Sequence, residues 1–153
     1  MQTTYTAALQ TVHQFRWLSL IPLFPFLGAA ILAIFGKKLQ DKFGKSAVHT
    51  IAIGMMGFAA LVSLYSFITL MGLAAHDRFL LDTVFPMIQL GKFRVDMAFA
   101  MDPLSAMMAM IITFIGTGIH VYSTGYMSEE PAYWRFFCYL NLFVFSMLLL
   151  VLG

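Results

Sequence analysis

Few residues of this chain could take part in chemistry, and most of them follow one helical stripe. Polar or small side chains recur at steps of three or four residues, at Asp102, Ala106, Ala109, Thr113, Thr117, His120 and Thr124. This spacing places them on one face of a helix. In a membrane such a face usually contacts another helix, and more rarely it borders a hydrated path. We take Thr113, Thr117 and His120 as the candidate polar face.

The helix that carries this stripe has a clear beginning. Asp102 can cap its N-terminus and favours the positive end of the helix dipole, and Pro103 suits the first helical position. Residues 103–123 then carry no formal charge except one that His120 could acquire. Twenty-one helical residues rise roughly 30 Å, about the thickness of the hydrocarbon layer of a bilayer. The sequence therefore predicts a transmembrane helix.

The composition extends this prediction to the whole chain. Hydrophobic residues make up 61% of the 153 residues and charged residues 10%, against about 45–50% and 25% in soluble domains. The excess is spread over several runs, so one buried core cannot account for it. We expect an all-α integral membrane protein with about four transmembrane helices. The net charge of +2 does not argue for nucleic acid, and Cys138, the only cysteine, is most simply a small core residue.

The apolar runs divide the chain into segments. Residues 1–16 are either a disordered tail or a short amphipathic helix at the membrane surface. The spans are expected at 17–36, 46–74, 103–123 and 135–153. The first run is too long for the apolar part of a signal peptide, so we expect it to remain as a membrane anchor. Small residues at Gly54, Gly57, Ala60 and Ser63 are expected to allow close packing of the second span.

Charge in the connections predicts the topology. Four lysines lie within Lys37–Lys45, and the positive-inside rule places this short loop in the cytoplasm. The loop at 124–134 should lie on the same side. The N-terminus and the C-terminus are then both outside. His49, beside the basic loop, and His120, near the inner end of its span, are both expected at the membrane interface.

The connection at 75–101 is predicted to contain a β-hairpin outside the membrane. Apolar and polar residues alternate along Phe93–Ala100, and Gly91-Lys92 suits a two-residue turn after Met87–Leu90. Pro86 is expected to break the chain before the hairpin. An isolated hairpin is marginal in water, so it should pack on a helix or on another subunit.

The chain lacks the patterns that support catalysis or ligand binding. All sixteen formal charges fall in the tail, the loops or the ends of spans. We find no paired carboxylates, no His/Cys cluster with metal spacing, no phosphate-binding glycine loop and no nucleophile with an adjacent base. We therefore expect no catalytic residue, no cofactor and no metal in this chain.

Several segments together nevertheless resemble a known family. Leu20–Ala29 (LIPLFPFLGA) is similar to the first helix of the antiporter-like membrane subunits of respiratory complex I, the NADH-quinone oxidoreductase. Met101–Ser105 (MDPLS) resembles the start of their third helix, and Ile119–Met127 (IHVYSTGYM) their following loop. Arg135–Phe143 (RFFCYLNLF) with Ser146–Val151 (SMLLLV) resembles their fourth helix. The order and spacing of these segments also match the family.

The resemblance implies a role in proton translocation coupled to electron transfer from NADH to quinone. It implies the bacterial inner membrane as location, with the lipid bilayer and the other membrane subunits of complex I as partners. The family's proton path uses a glutamate and further residues beyond Gly153, so no such role carries over to a position here. What carries over is four peripheral helices and a periplasmic hairpin that packs on a neighbour.

Two other functions are compatible with the sequence. The chain could be a self-standing four-helix protein for packing or assembly, because it carries no chemistry of its own. It could also be a cation/proton antiporter subunit of the Mrp type, although Tyr139–Phe143 fits those proteins less well. DNA beyond codon 153 and the neighbouring genes would discriminate between the three.

Overall fold

A computed structural model describes residues 13–14, 17–73, 80–90 and 93–153 of the chain. The helices are α1 (Leu20–Phe43), α2 (Lys45–Gly72), α3 (Pro103–Tyr126) and α4 (Tyr133–Leu152), and the strands are β1 (His13–Gln14), β2 (Leu80–Leu90) and β3 (Phe93–Met101). All four helices are long and apolar enough to cross a membrane. The fold predicted from the sequence, four membrane-length helices with a hairpin between the second and the third, is confirmed.

The basic segment expected as a loop is helical. Helix α1 continues to Phe43 and α2 begins at Lys45, so Gly44 alone separates them. Its φ of 78° lies in the left-handed region that glycine adopts at little cost, which allows the chain to reverse there. The stretch Lys37–Phe43 contains neither proline nor glycine, and Lys42 in the last turn favours the negative end of the dipole.

The four helices form a bundle in which α1 packs on α2 and α4, and α2 packs on α3, while α3 and α4 meet less closely. One buried cluster lies at the hairpin end and includes Ile21, Met56, Met101 and Leu148. A second lies at the opposite end, and includes Leu32, Ala52, Phe137 and Cys138. Large apolar side chains on the outer surfaces stay exposed, as a lipid environment requires.

Strands β2 and β3 form the predicted antiparallel hairpin, with Leu80 opposite Met101 and Leu90 opposite Phe93. The expected break at Pro86 is not observed. Pro86 lies within β2, next to an irregularity in the register between Pro86 and Ile88. A bulge tolerates proline because the ladder hydrogen bond is already interrupted there. The predicted turn at 91–92 lies outside the described residues.

The N-terminal segment is described only in part. His13–Gln14 forms a short strand that pairs in parallel with β2, His13 opposite Leu80. The rest of the predicted tail or interfacial helix at 1–16 lies outside the described residues. At the base of the sheet Leu80, Phe99 and Met101 are buried among residues of the helices. The hairpin therefore packs on helices of its own chain.

Candidate functional site

The predicted start of α3 is observed at Asp102 and Pro103. The Asp102 carboxylate accepts a hydrogen bond from the Ser105 backbone N–H, with 2.7 Å between Oδ1 and N. Pro103 occupies the first turn, where its missing N–H leaves no partner unsatisfied. Hydrogen bonds from the Ser105 side chain and backbone hold the pKa of the Asp102 carboxyl below its usual value. Asp102 therefore anchors the connection between the hairpin and the bundle.

The polar stripe of α3 faces the other helices. Four of its members are buried, namely Ala106, Ala109, Thr113 and His120. Thr117 is half-buried, as are Asp102 and Thr124. Thr113 Oγ1 donates to the carbonyl of Ala109 at 2.8 Å, and Thr117 Oγ1 donates to that of Thr113 at 2.7 Å. Because these hydroxyls bond within their own helix, they have no need of water. The geometry favours a helix contact over a hydrated path.

His120 is buried between the helices, with its side chain 0% exposed. Its expected place near the inner membrane interface stays a prediction. Its Nδ1 lies 2.7 Å from the carbonyl oxygen of Gly116, so in the neutral ring the proton belongs on Nδ1. Nε2 is buried without a hydrogen-bonding partner among the described residues. The ring packs near Phe137 of α4, with 5.9 Å between the ring centroids.

A groove between α3 and α4 runs past His120. Its volume is about 240 Å³ and its walls are apolar apart from His120, with residues such as Ile115, Phe143 and Met147 along it. The groove reflects the looser packing of these two helices. Apart from the single ring of His120, its lining offers no ligand for an ion, so it suits acyl chains or another apolar surface.

Asn141 of α4 is, like His120 of α3, a buried polar residue, and sequence reasoning left it outside the site. Nδ2 donates to the carbonyl of Phe137 at 3.1 Å, while Oδ1 is buried without a partner in the part of the chain that the structure describes. A Cβ at Gly28 of α1 would lie 3.2 Å from this oxygen. Cys138, one turn away, donates its thiol to the carbonyl of Ala29 at 3.3 Å. A lone asparagine in an apolar span was the available signal for this close approach.

Polar side chains join the helices at the end opposite the hairpin. Gln40 donates from Nε2 to the Pro131 carbonyl at 2.9 Å, and its Oε1 accepts from the Trp134 N–H at 3.1 Å. Gln40 thus caps the N-terminus of α4, where Ala132 has no capping side chain. The basic end of α1 and the 124–134 connection therefore lie at the same end of the bundle, as the sequence predicts.

Lys45, Tyr133 and His49 add further links at this end. The Lys45 ammonium donates to the Ser128 carbonyl and lies 5.6 Å from the centroid of the Tyr133 ring. The Tyr133 hydroxyl lies 3.2 Å from His49 Nδ1. Within the described residues no group of three His, Cys, Asp or Glu side chains could hold a metal ion. The polar groups of this end connect helices.

The segment that holds β3 and α3 is similar to a known protein family. Residues 87–137, which cover the end of β2, β3, α3 and the beginning of α4, match a family model described as NADH-ubiquinone oxidoreductase (complex I), chain 5 N-terminus. Over this segment the chain is similar to the N-terminal part of complex I chain 5. The match includes Asp102, Pro103 and the polar stripe of α3. The resemblance inferred from the sequence is confirmed.

Curated relatives agree with the family. The chain is 38% identical over 129 residues to NADH-quinone oxidoreductase subunit L of Mycobacterium tuberculosis, covering 84% of this chain and 20% of the relative. It is 33% identical over 136 residues to subunit L of Neisseria meningitidis, covering 88% and 19%. It is 34% identical over 134 residues to NADH-ubiquinone oxidoreductase chain 5 of Arabidopsis thaliana, again 88% and 19%. The chain spans about a fifth of the length of these relatives.

Proposed function

We propose that this chain is the N-terminal membrane segment of an antiporter-like subunit of complex I. In this role it contributes to proton translocation coupled to electron transfer from NADH to quinone. The observation that carries the proposal is the family match over residues 87–137, on a chain whose relatives named subunit L or chain 5 align over more than four fifths of it.

The contribution that we propose is structural. Most of the stripe of α3 is buried against the other helices, and the hydroxyls of Thr113 and Thr117 bond to their own backbone. A segment of this kind supports a conducting part built by other helices, since a conducting path needs titratable groups or ion ligands within the membrane. We propose that the chain holds no cofactor and that its partners are the lipid bilayer and other membrane subunits of complex I.

The proposed location is the bacterial inner membrane, with the N-terminus outside. Five cations lie at one end of the bundle, because α1 ends, α2 begins and α4 begins there. They are Lys37, Lys38, Lys42, Lys45 and Arg135. A concentration of cations on one side marks the cytoplasmic end. The hairpin would then lie outside, where it can reach a neighbouring subunit.

The proposal is tested in the cells that carry the natural gene. A tagged copy of the chain is expected to purify with the other subunits of complex I. Deletion of the coding region for Leu20–Leu152 should abolish the proton gradient that NADH drives in membrane vesicles. A self-standing membrane protein would instead purify without these subunits, and its deletion would leave the NADH-driven gradient intact.

A further inference from the structure

We propose that the outward flank of α1 and α4, at the basic end of the bundle, binds the headgroup of an anionic phospholipid, with Lys37 and Arg135 on its phosphate. The proposal begins with a close approach of the two helices. A Cβ on Gly36 of α1 would lie only 2.9 Å from the Trp134 ring of α4, so these residues face each other directly. The residues that follow them are Lys37 and Arg135.

Helical geometry places these two cations on the same side. Each helical residue is turned by about 100° from the one before it. Helices α1 and α4 are antiparallel, since Gly28 faces Asn141 while Gly36 faces Trp134. In an antiparallel pair of helices, the residues that follow two facing residues both point to the same side of the pair. Lys37 and Arg135, which follow Gly36 and Trp134, therefore share one flank. Both Lys37 and Arg135 are exposed there.

On the opposite flank of this helix pair, α2 covers α4. Tyr133 and Phe137 point to it from α4, and they are 1% and 0% exposed in the cluster shared with Val48 and Ala52 of α2. The flank that carries Lys37 and Arg135 therefore looks away from α2, towards the surroundings of the bundle. A ligand can reach it without moving a helix.

The chemistry of this flank fits a lipid headgroup. The Arg135 guanidinium lies 5.2 Å from the centroid of the Trp134 ring, which orients it. Within the described part of the chain, no salt bridge occupies Lys37 or Arg135. Arginine forms paired hydrogen bonds with phosphate, and a tryptophan beside basic residues is typical of the headgroup region.

The surface next to the two cations suits an acyl chain. Ala33 lies about one turn before Lys37 on the same flank and is exposed, and Leu142 of α4 is 43% exposed. Further along this side the Phe26 and Phe145 rings pack together at 4.9 Å between centroids. A phospholipid can place its headgroup on the cations and its acyl chain along the apolar strip beside them. Free phosphate would contact only the cations.

The experiment measures lipid retained by the full chain. The chain is purified in detergent and supplied with equal amounts of phosphatidylglycerol and phosphatidylcholine that have identical acyl chains. Native mass spectrometry then measures which of the two lipids stays bound. We expect retention of phosphatidylglycerol, and a loss on the order of tenfold in the double variant Lys37→Gln/Arg135→Gln. Circular dichroism checks that the variant keeps its helices, and Lys37→Arg should retain the lipid.

The matched control removes the same charge from the other side of α1. Lys38 and Lys42 are exposed and, by the same geometry, turned away from α4, so Lys38→Gln/Lys42→Gln should keep the phosphatidylglycerol. Equal losses in the two double variants would show a diffuse charge effect and overturn the site. Equal retention of both lipids by the unaltered chain would also overturn it. So would a photoreactive residue at position 33 that crosslinks to protein and not to lipid in native membranes.

Discussion

At the scale of single residues, the polar side chains of α3 are used to build the bundle. Asp102 closes the first turn, and the hydroxyl of Thr113 returns to its own backbone. His120 is the exception, because Nδ1 is bonded while Nε2 is buried without a partner in the described part of the chain. The volume of the His120 ring therefore contributes to the stability of the bundle, as its polarity does.

Removing the cap at Asp102 should destabilise α3. Asp102→Ala is expected to cost about 1 kcal/mol of unfolding free energy, because the Ser105 N–H loses its partner, whereas Asp102→Asn should keep most of the stability. The pKa of Asp102 is lowered in the folded chain. The stability that the ionised carboxylate adds is therefore complete above the ordinary pKa of an aspartate, and it is lost as the pH falls through the lowered pKa. Unfolding in detergent micelles at pH 7 and in acid measures both effects. Equal stability of Asp102→Ala and the unaltered chain at pH 7 would contradict the capping role.

Replacing His120 should destabilise the bundle, because its side chain is fully buried between helices. His120→Ala leaves a void beside Phe137 and is expected to cost about 2 kcal/mol. Val121→Ala, at a neighbouring side chain that is 53% exposed, is the control and should change little. Unfolding curves of the two variants are compared, and similar curves would argue against the burial of His120.

The size of residue 113 should matter more than its hydroxyl. Thr113 is fully buried and, among the described residues, its hydroxyl bonds only to its own helix. Thr113→Leu should cost about 1–3 kcal/mol through overpacking. Thr113→Val keeps the branched shape and should cost less. If the order of the two variants were reversed, the hydroxyl would have a partner beyond α3.

At the scale of elements, distant side chains and small residues hold the helices together. Asp82 of β2 accepts a hydrogen bond from the Ser19 N–H at 2.9 Å, just before α1, and Gln40 of α1 serves the beginning of α4. Neither helix has a capping side chain of its own at these starts. Each end of the bundle is therefore fastened by a residue that is remote in sequence.

Helix contacts predict opposite effects for two glycines. Gly36→Ala should cost about 1–3 kcal/mol, because its Cβ would lie 2.9 Å from the Trp134 ring. Gly54→Ala meets nothing within 4 Å and should stabilise α2 by roughly 0.5–1 kcal/mol, the usual preference of a helix for alanine. Thermal unfolding of both variants measures the difference. Destabilisation by Gly54→Ala would mean that another element covers it.

Loss of the cap on α4 should loosen the end of the bundle opposite the hairpin. Gln40→Ala removes two hydrogen bonds to the 124–134 connection and α4, at an expected cost of about 1–2 kcal/mol. Thr50→Ala serves as the control, since the Thr50 hydroxyl donates to the Ser46 carbonyl of its own helix. Hydrogen exchange at the Trp134 amide should accelerate in the Gln40 variant alone.

At the scale of the whole molecule, the bundle has a basic end and a hairpin end. The cations of α1, α2 and α4 lie at the former, and β2 and β3 cover the latter. This polarity, together with the apolar outer surfaces, sets the orientation that we propose. It also suits a segment that supports a larger membrane assembly.

The orientation can be tested directly. A reporter fused after Asp41 is expected to be active in the cytoplasm, because the basic end faces inward under the positive-inside rule. The control is a reporter placed within 91–92, in the predicted outer turn, which should be active only outside. A periplasmic signal from the fusion at Asp41 would overturn the proposed topology.

Transport by the isolated chain gives a further test at this scale. Liposomes that contain only these 153 residues are expected to hold a proton gradient as well as protein-free liposomes do, because the helices lack a line of titratable groups. A pH-sensitive dye inside the liposomes reports the flux. Proton leakage above that of protein-free liposomes would contradict the supporting role.

The sequence by itself determined the helices, the hairpin and the family resemblance, because each rests on local signals such as apolar runs, the Asp102 cap and alternation in β3. Tertiary structure decided which polar groups face each other, since burial depends on neighbours that are distant in the chain. Gly54 and Gly57 resembled packing positions, yet a Cβ on either would meet nothing, whereas Ala60 and Ser63 are buried. Likewise His120 is buried and Gln40 caps α4 only because of how the helices pack.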